Sequence, residues 1–525
     1  MFKPLKNYFD YLYQKPIEAA LIIMVITSHL SIILQSKTDT DIWGRIQFGN
    51  DVLSLRSPYL VDTYSYVTNH VKWVDIEWLS GVIYASVFDL THNIGLIIFK
   101  AFVICLILFN IYSILQKFKV NSLVIVLLLG LTLDLMSMGT FVIRAHLFTY
   151  LFVNVLIYLL IRYRYEGVKF LYFVPLIFPF WVNMHGGFVA GLCFYGFFVV
   201  LEIIRLKFID KNENSQEINL KIIKALVFSL LLSLLATLLN PWGIFLLKTI
   251  LVPDIIGRPE ITEWQPLGLN SLNALFYLTE LFIAIWVFVK TKEKIYYPEF
   301  LIFVILSLVP FLALRHLPLF AVTVFILIAP HLKSAVQNSF FKDFSGFGQT
   351  KPRDRVLYLS LAAVVMLLNL CFRIPPVLTL NYDDMPYWTM KLLKDSNVQG
   401  NLVVYFDWGE YLIYHLQPNI KVSLDPRREL VYPKKVYKDN FAFMYGVFDW
   451  TAILTKYDSN MVLVPMNSAS YNLMKLYQPY EYIFHDNLSA FFVKKDFGQI
   501  NQLRELAVKY SQLEKADKTN EHVFP

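Results

Sequence analysis

Residues 37–80, KTDTDIWGRIQFGNDVLSLRSPYLVDTYSYVTNHVKWVDIEWLS, gather carboxylates directly after an apolar run, Ile17 to Leu34. Asp39, Asp41, Asp51, Asp62 and Asp75 precede Glu77, with Trp43, Trp73 and Trp78 interleaved among them. Asp39 and Asp41 stand two residues apart on the loop. Carboxylates at that spacing can share a divalent cation, or hold one member as a general base. A solvated loop with aromatic anchors at the headgroup level accounts for any one of these acids. It accounts less well for the set.

Five later segments place ionisable or amide groups at the ends of apolar runs. They are Arg144 and His146 in FVIRAHLF, Asn183 and His185 in FWVNMHGGF, Asn240 with Trp242 in LLNPWG, Glu263 with Trp264 in ITEWQP, and Arg315 with His316 in LALRHLPLF. Polar side chains there cost free energy unless they pair or line a wet cavity. One arginine at a span end usually snorkels, and one buried histidine is usually just hydrogen-bonded. As a set with the first loop, these residues point to a shared site.

The elements that must carry them are membrane helices. Hydrophobic residues make up 56% of the 525 and occur in long runs, and the mean hydropathy is +0.50. That is a polytopic membrane protein. The first run is too long for a signal-peptide core and lacks a small-residue cleavage site, so it reads as a membrane helix. The +7 formal charge comes from lysines and arginines between spans, which membrane topology explains without nucleic acid. Cys105, Cys193 and Cys371 lie in apolar runs and form no disulfide or zinc pattern.

Periodicity and length give about eleven spans, near 17–35, 94–115, 121–138, 147–163, 171–183, 188–206, 222–240, 272–290, 298–314, 317–333 and 355–373. Residues 77–92 are apolar on one side and short, and read as an interfacial helix. Eleven spans put the N-terminus and every basic connection on the cytoplasmic side: Lys117 and Lys119; Arg162, Arg164 and Lys169; Arg205, Lys207 and Lys211; Lys290 to Lys294; and Lys333 to Arg355. A further crossing at 77–92 would invert that order. Residues 334–354 read as a cytoplasmic linker. The expected domains are 1–373, a membrane domain with first outer loop 36–79, and 374–525, a soluble extracytoplasmic α/β domain in which short apolar runs alternate with helical patterns. The soluble domain's own candidates are Trp408, Gly409, Asp425, Arg427 and Arg428, although a surface turn with an ion pair explains Asp425 and Arg427 equally well.

The ordered elements D-x-D-x-W, P-x-x-x-D-x-x-S-Y, W-x-x-x-E-W-L, R-A-H-L-F, W-x-N-x-H-G-G, L-N-P-x-G, E-W and R-H, followed by D-W-G-x-Y-L and L-D-x-R, cover nearly the whole chain. Together they resemble a family of bacterial multi-pass proteins that look like GT-C superfamily membrane glycosyltransferases. The resemblance implies a catalytic acid in the first outer loop, matched here by Asp39, Asp41 and Glu77. It implies a polyprenyl-phosphate sugar donor, a glycan, lipid or protein acceptor, and a place in the bacterial cytoplasmic membrane. Some branches of the superfamily need a metal and others do not. The Asp-Thr-Asp pair allows an Mg or Mn ion without requiring one.

In such a transfer a carboxylate takes the acceptor's proton and a fixed cation meets the leaving phosphate. Asp41 is the expected base or metal ligand with Asp39 as its partner. Arg144 and Arg315 are expected on the phosphate side, with His146, His185 and His316 as donors, Asn183 and Asn240 as further contacts, and Glu263 as a supporting acid. Two other classes stay open. A lipid-linked glycan transporter or flippase predicts ionisable groups near span midpoints, where Lys100 and Asn110 lie. A non-catalytic envelope assembly protein predicts that Asp39 and Asp41 are dispensable.

Overall fold

The computed structural model describes residues 16–34, 39–68, 70–137, 142–209, 216–251, 262–339, 360, 364, 379–381, 384–517 and 521–524. The expected eleventh span and most of the 334–354 linker lie outside them. Two compact units divide the chain. One comprises Met1–Gln35, Ile97–Asn240 and Asp254–Pro376. The other comprises Ser36–Leu96, Pro241–Pro253 and Val377–Pro525.

The first unit is helical. Each of the first ten expected spans coincides with a helix, because a backbone in lipid must satisfy its hydrogen bonds within its own segment. Among the described residues six helices are long and apolar enough to cross a membrane, and four more apolar helices are shorter. The chain is a multi-pass membrane protein. Leu317–Gln337 is the central helix of its unit, packed against Leu272–Lys290, His146–Glu166 and Ser122–Ser137. Polar pairs clamp the bundle where apolar contact cannot distinguish helix from lipid. The Asn110 amide donates to Asn154 at 2.8 Å, and the Asn154 amide donates to the Val322 carbonyl at 2.7 Å. The basic helix ends are also paired. Lys117 lies 2.6 Å from Glu166, and Glu202 takes Arg205 at 2.6 Å and Arg164 at 3.3 Å.

Residues 77–92 fall on the first arm of a 40-residue helix, Trp78–Lys117, broken at His92, whose φ is 51°. A non-glycine residue held there stores on the order of 1–3 kcal/mol. The Asn93 amide beyond the break donates to the Phe524 carbonyl at 2.6 Å, and the Phe524 ring lies against Trp43 and Phe88.

The second unit is α/β. Strands β1 (Leu60–Val61) and β2 (Lys72–Trp73) pair as a hairpin. β3 (Thr379–Asn381) pairs with β9 (Glu521–Val523). The main sheet holds β4 (Gly400–Val404), β5 (Ile420–Val422), β6 (Met461–Pro465), β7 (Tyr480–His485) and β8 (Ser489–Lys494) in the order β5-β4-β6-β8-β7. β4 runs parallel to both β5 and β6, while β8 is antiparallel to β6 and β7. Val403, Val462, Val464 and Phe492 bury one face against Phe443 and Ile453. The first loop extends this sheet: the Val422 amide donates to the Tyr64 carbonyl at 2.9 Å, and Ser65 bridges Val422 in parallel.

Asp425 and Arg427 do not form the surface turn that their sequence allows. Both are buried, with Arg427 2.7 Å from Asp425 and 2.8 Å from Asp62 of the first loop. Phe48, Tyr64 and Trp73 ring the guanidinium at 5.0–5.1 Å. Short-range pattern pointed to a turn because the second carboxylate and the aromatic cage lie far away in the chain.

Candidate active site

The first-loop carboxylates are shaped by their local backbone. Asp39 Oδ1 accepts the Asp41 amide at 2.9 Å, and the turn so closed feeds the helix Ile42–Leu55. The same device recurs where Asp75 Oδ1 accepts the Glu77 amide at 3.0 Å. Asp41 stands at the N-cap without making a side-chain cap bond, so its carboxylate is not spent on the helix. Instead Thr40 donates to it at 3.3 Å. The positive end of the helix favours an anion there.

Arg45, one turn along the same helix, organises the neighbouring acids. Its guanidinium lies 3.2 Å from Asp75, 3.1 Å from Glu77 and 3.7 Å from Glu410. Burial opposes the charge, but Asp75 and Glu77 hold the arginine more firmly cationic than usual. Burial also pushes the Glu410 carboxyl well above the usual range, and neither of its oxygens accepts a hydrogen bond among the described residues. Gly44 makes the space: a Cβ there would fall 2.1 Å from Glu410 Oε2. Glu77, expected as a catalytic acid, also pairs with Arg45. Sequence reasoning missed Arg45 and Glu410. The signals were an arginine four residues after Asp41 in a carboxylate-rich stretch, and the glutamate inside D-W-G-E-Y-L.

In the helical unit, Arg144, His146, His185, Glu263 and Arg315 form one cluster. Glu263 lies 2.9 Å from Arg144 and 3.7 Å from Arg315, so one carboxylate draws two guanidiniums together. Backbone bonds set this opposition: the Leu314 amide donates to the Gln265 carbonyl at 2.8 Å, and Leu267 donates to Pro310 at 3.1 Å. Arg315 also donates to His146 Nε2 and rides 4.5 Å above the Trp264 ring. Nε2 accepts that bond, so the His146 proton sits on Nδ1. The side chains of Arg144, Arg315 and Glu263 remain 18–29% exposed, which leaves the cluster open to a ligand.

The His185 ring lies 4.3 Å from the His146 ring at a tilt of 48°, and its tautomer is legible from its partners. The Gly187 amide donates to Nδ1 at 3.0 Å. Trp181 Nε1 donates to Thr149 Oγ1 at 3.0 Å, which frees the Thr149 hydroxyl to donate to the same Nδ1 at 2.7 Å. Nδ1 carries no proton, and Nε2 is left as the donor. The H-G-G motif follows, because a Cβ on Gly187 would fall 2.4 Å from Thr149 Oγ1. Thr149 and Trp181 were not singled out by sequence, since neither type is distinctive in an apolar helix. The Asn183 amide donates to the Leu239 carbonyl at 2.8 Å, and the Asn240 amide donates to Thr237 at 2.8 Å. Both asparagines, expected as substrate contacts, donate to backbone carbonyls. His316 follows Arg315 at the start of the central helix.

Three solved structures share this architecture. The Archaeoglobus fulgidus oligosaccharyltransferase in its apo form matches at TM-score 0.56 and 11% identity, over 91% of this chain and 75% of that one. The chain shares the fold of that protein. The arabinofuranosyltransferase AftD from Mycobacteria matches at TM-score 0.51 and 12% identity, over 90% of this chain and 40% of AftD. ArnT from Cupriavidus metallidurans in the apo state matches at TM-score 0.50 and 10% identity, over 96% and 99% of the two chains. No family model and no curated protein matches the sequence.

Proposed function

We propose that this GT-C-fold chain is a membrane glycosyltransferase that moves a sugar from a polyprenyl-phosphate donor to an acceptor hydroxyl. The observation that carries the reading is the cluster in which Arg144 and Arg315 share Glu263. Two guanidiniums brought side by side can take an anion between them, and their planar forks match phosphate oxygens. The fold supports the same reading, since the structures that share it include an oligosaccharyltransferase and an arabinofuranosyltransferase.

In this mechanism Asp41 accepts the acceptor's proton as that oxygen attacks the anomeric carbon. The bond from that carbon to the phosphate oxygen breaks, and the lipid phosphate departs with the electron pair. Arg144 and Arg315 stabilise the growing charge, and His185 Nε2–H is a further donor. Asp39 positions Asp41 through its backbone amide. Among the described residues no group of three His, Cys, Asp or Glu side chains is placed to hold a metal ion. An Mg or Mn ion, where the reaction uses one, would be held by Asp39 and Asp41 and would draw charge from the departing phosphate. The basic connections place the acidic loop at the outer face of the membrane in this reading.

Binding tests it directly. The purified chain should retain radiolabelled undecaprenyl phosphate, and the Arg144→Gln, Arg315→Gln double variant should lose it. Equal retention by both proteins would remove the phosphate role of these arginines.

A further inference from the structure

The L-N-P-W-G segment of the sequence has no part in the mechanism above, yet it builds a distinct surface. Gly243 has φ +54°, a left-handed backbone that glycine adopts at no steric cost. The turn leads into an eight-residue helix, Ile244–Leu251, entered through a Phe245 amide bond to the Trp242 carbonyl at 3.1 Å. Leu246 is buried on one side of that helix. Ile244 and Phe245 are 61% and 69% exposed, and Lys248 is exposed with them. At about 100° per residue these three share a single face roughly 100° wide, opposite Leu246. Apolar residues pointing outward with a lysine among them is the reverse of a helix designed for water.

The patch continues beyond the helix. The Tyr59 hydroxyl donates to the Pro241 carbonyl at 2.6 Å and its ring meets Trp242 at 6.0 Å. Tyr59 and Leu55 are 60% and 63% exposed, and Arg56 beside them is exposed as well. In the sequence the segment follows the candidate membrane span Glu217–Ala236, whose Leu235 is 60% exposed.

We propose that Ile244–Leu251, with Tyr59 and Trp242, lies in the headgroup layer of the bilayer that the chain crosses. Eight helical residues reach about 12 Å, too short for a hydrocarbon core of about 30 Å, so the helix lies along the surface. Tyr and Trp suit the boundary between apolar and wet, and Lys248 and Arg56 suit anionic lipid. In the chain the helix comes shortly after the candidate membrane span Glu217–Ala236.

The test uses the full chain with Cys105, Cys193 and Cys371 replaced by alanine and one cysteine introduced, Phe245→Cys or Lys509→Cys. Each carries an environment-sensitive fluorophore in vesicles of phosphatidylcholine and phosphatidylglycerol. The label at position 245 should emit blue-shifted, and a nitroxide lipid labelled near the headgroup should quench it at least about twofold more than the label at 509. Water-like emission, or equal quenching at the two positions, overturns the proposal. So does blue emission that no nitroxide lipid quenches, which would mean that protein covers the patch.

Discussion

Asp62 and Arg427 meet at 2.8 Å with neither side chain exposed. The contact joins the first loop to the segment after β5, and Asp425 closes the ion triad from the other side. Thr68 and Tyr432 each donate to one of its two carboxylates, so both buried acids have a hydrogen-bond donor besides Arg427. Removing one member of such a group leaves a buried uncompensated charge. Arg427→Met should therefore cost about 3–5 kcal/mol, read as a lower unfolding temperature of the purified chain. A change within experimental error would mean that the triad is dispensable.

A second stability prediction concerns the crossing of Ile42–Leu55 with the first arm of Trp78–Lys117. A Cβ on Gly49 would fall 2.2 Å from the Gly81 carbonyl oxygen, and backbone cannot swing aside as a side chain can. Gly49→Ala should destabilise by about 1–3 kcal/mol, the usual cost of overpacking. Thermal unfolding in detergent checks it.

Acid should weaken the α/β unit in part through His415. Burial, with Lys394 and Lys391 adding to it, lowers this imidazole from 6.5 to about 3. A group with a depressed folded pKa supplies stability that is present above pH 6.5. That stability is lost as the pH falls toward 3, because the unfolded chain binds the proton first. The Tyr411 ring packs 4.7 Å from the imidazole. His415→Gln should shrink the drop in unfolding temperature between pH 7 and pH 5. An unchanged drop would assign the acid sensitivity to other groups.

These contacts also mark what sequence could disclose. Apolar run length located the helices because lipid forces the backbone to bond within each segment. Polar residues at run ends found Arg144, His146, His185, Glu263 and Arg315, since such groups are costly in an apolar setting unless they meet. The partners of Arg427 were hidden, because Asp62 and the ring of Phe48, Tyr64 and Trp73 reach it only through tertiary packing. Glu410 was hidden for a related reason. Its role depends on Gly44 leaving room for its carboxyl, and no local pattern encodes a missing Cβ on another segment.

On the phosphate side, geometry should matter more than charge. A snorkelling anchor tolerates lysine, whereas a phosphate clamp needs the planar fork. Arg144→Lys and Arg315→Lys should accumulate in membranes at parental levels while transfer falls at least tenfold, a loss of roughly 1.4 kcal/mol. Both lysine variants working like the parent would make these residues anchors.

The most direct test is transfer from a labelled polyprenyl-phosphate sugar by purified full-length chain, with membrane extract as the source of acceptor. Asp41→Asn keeps the size of the side chain and the Asp39 turn while removing the base. The account predicts labelled product from the parent, normal folding of the variant, and transfer reduced by on the order of 10²–10⁴. Undiminished product from Asp41→Asn combined with Asp39→Asn would contradict it.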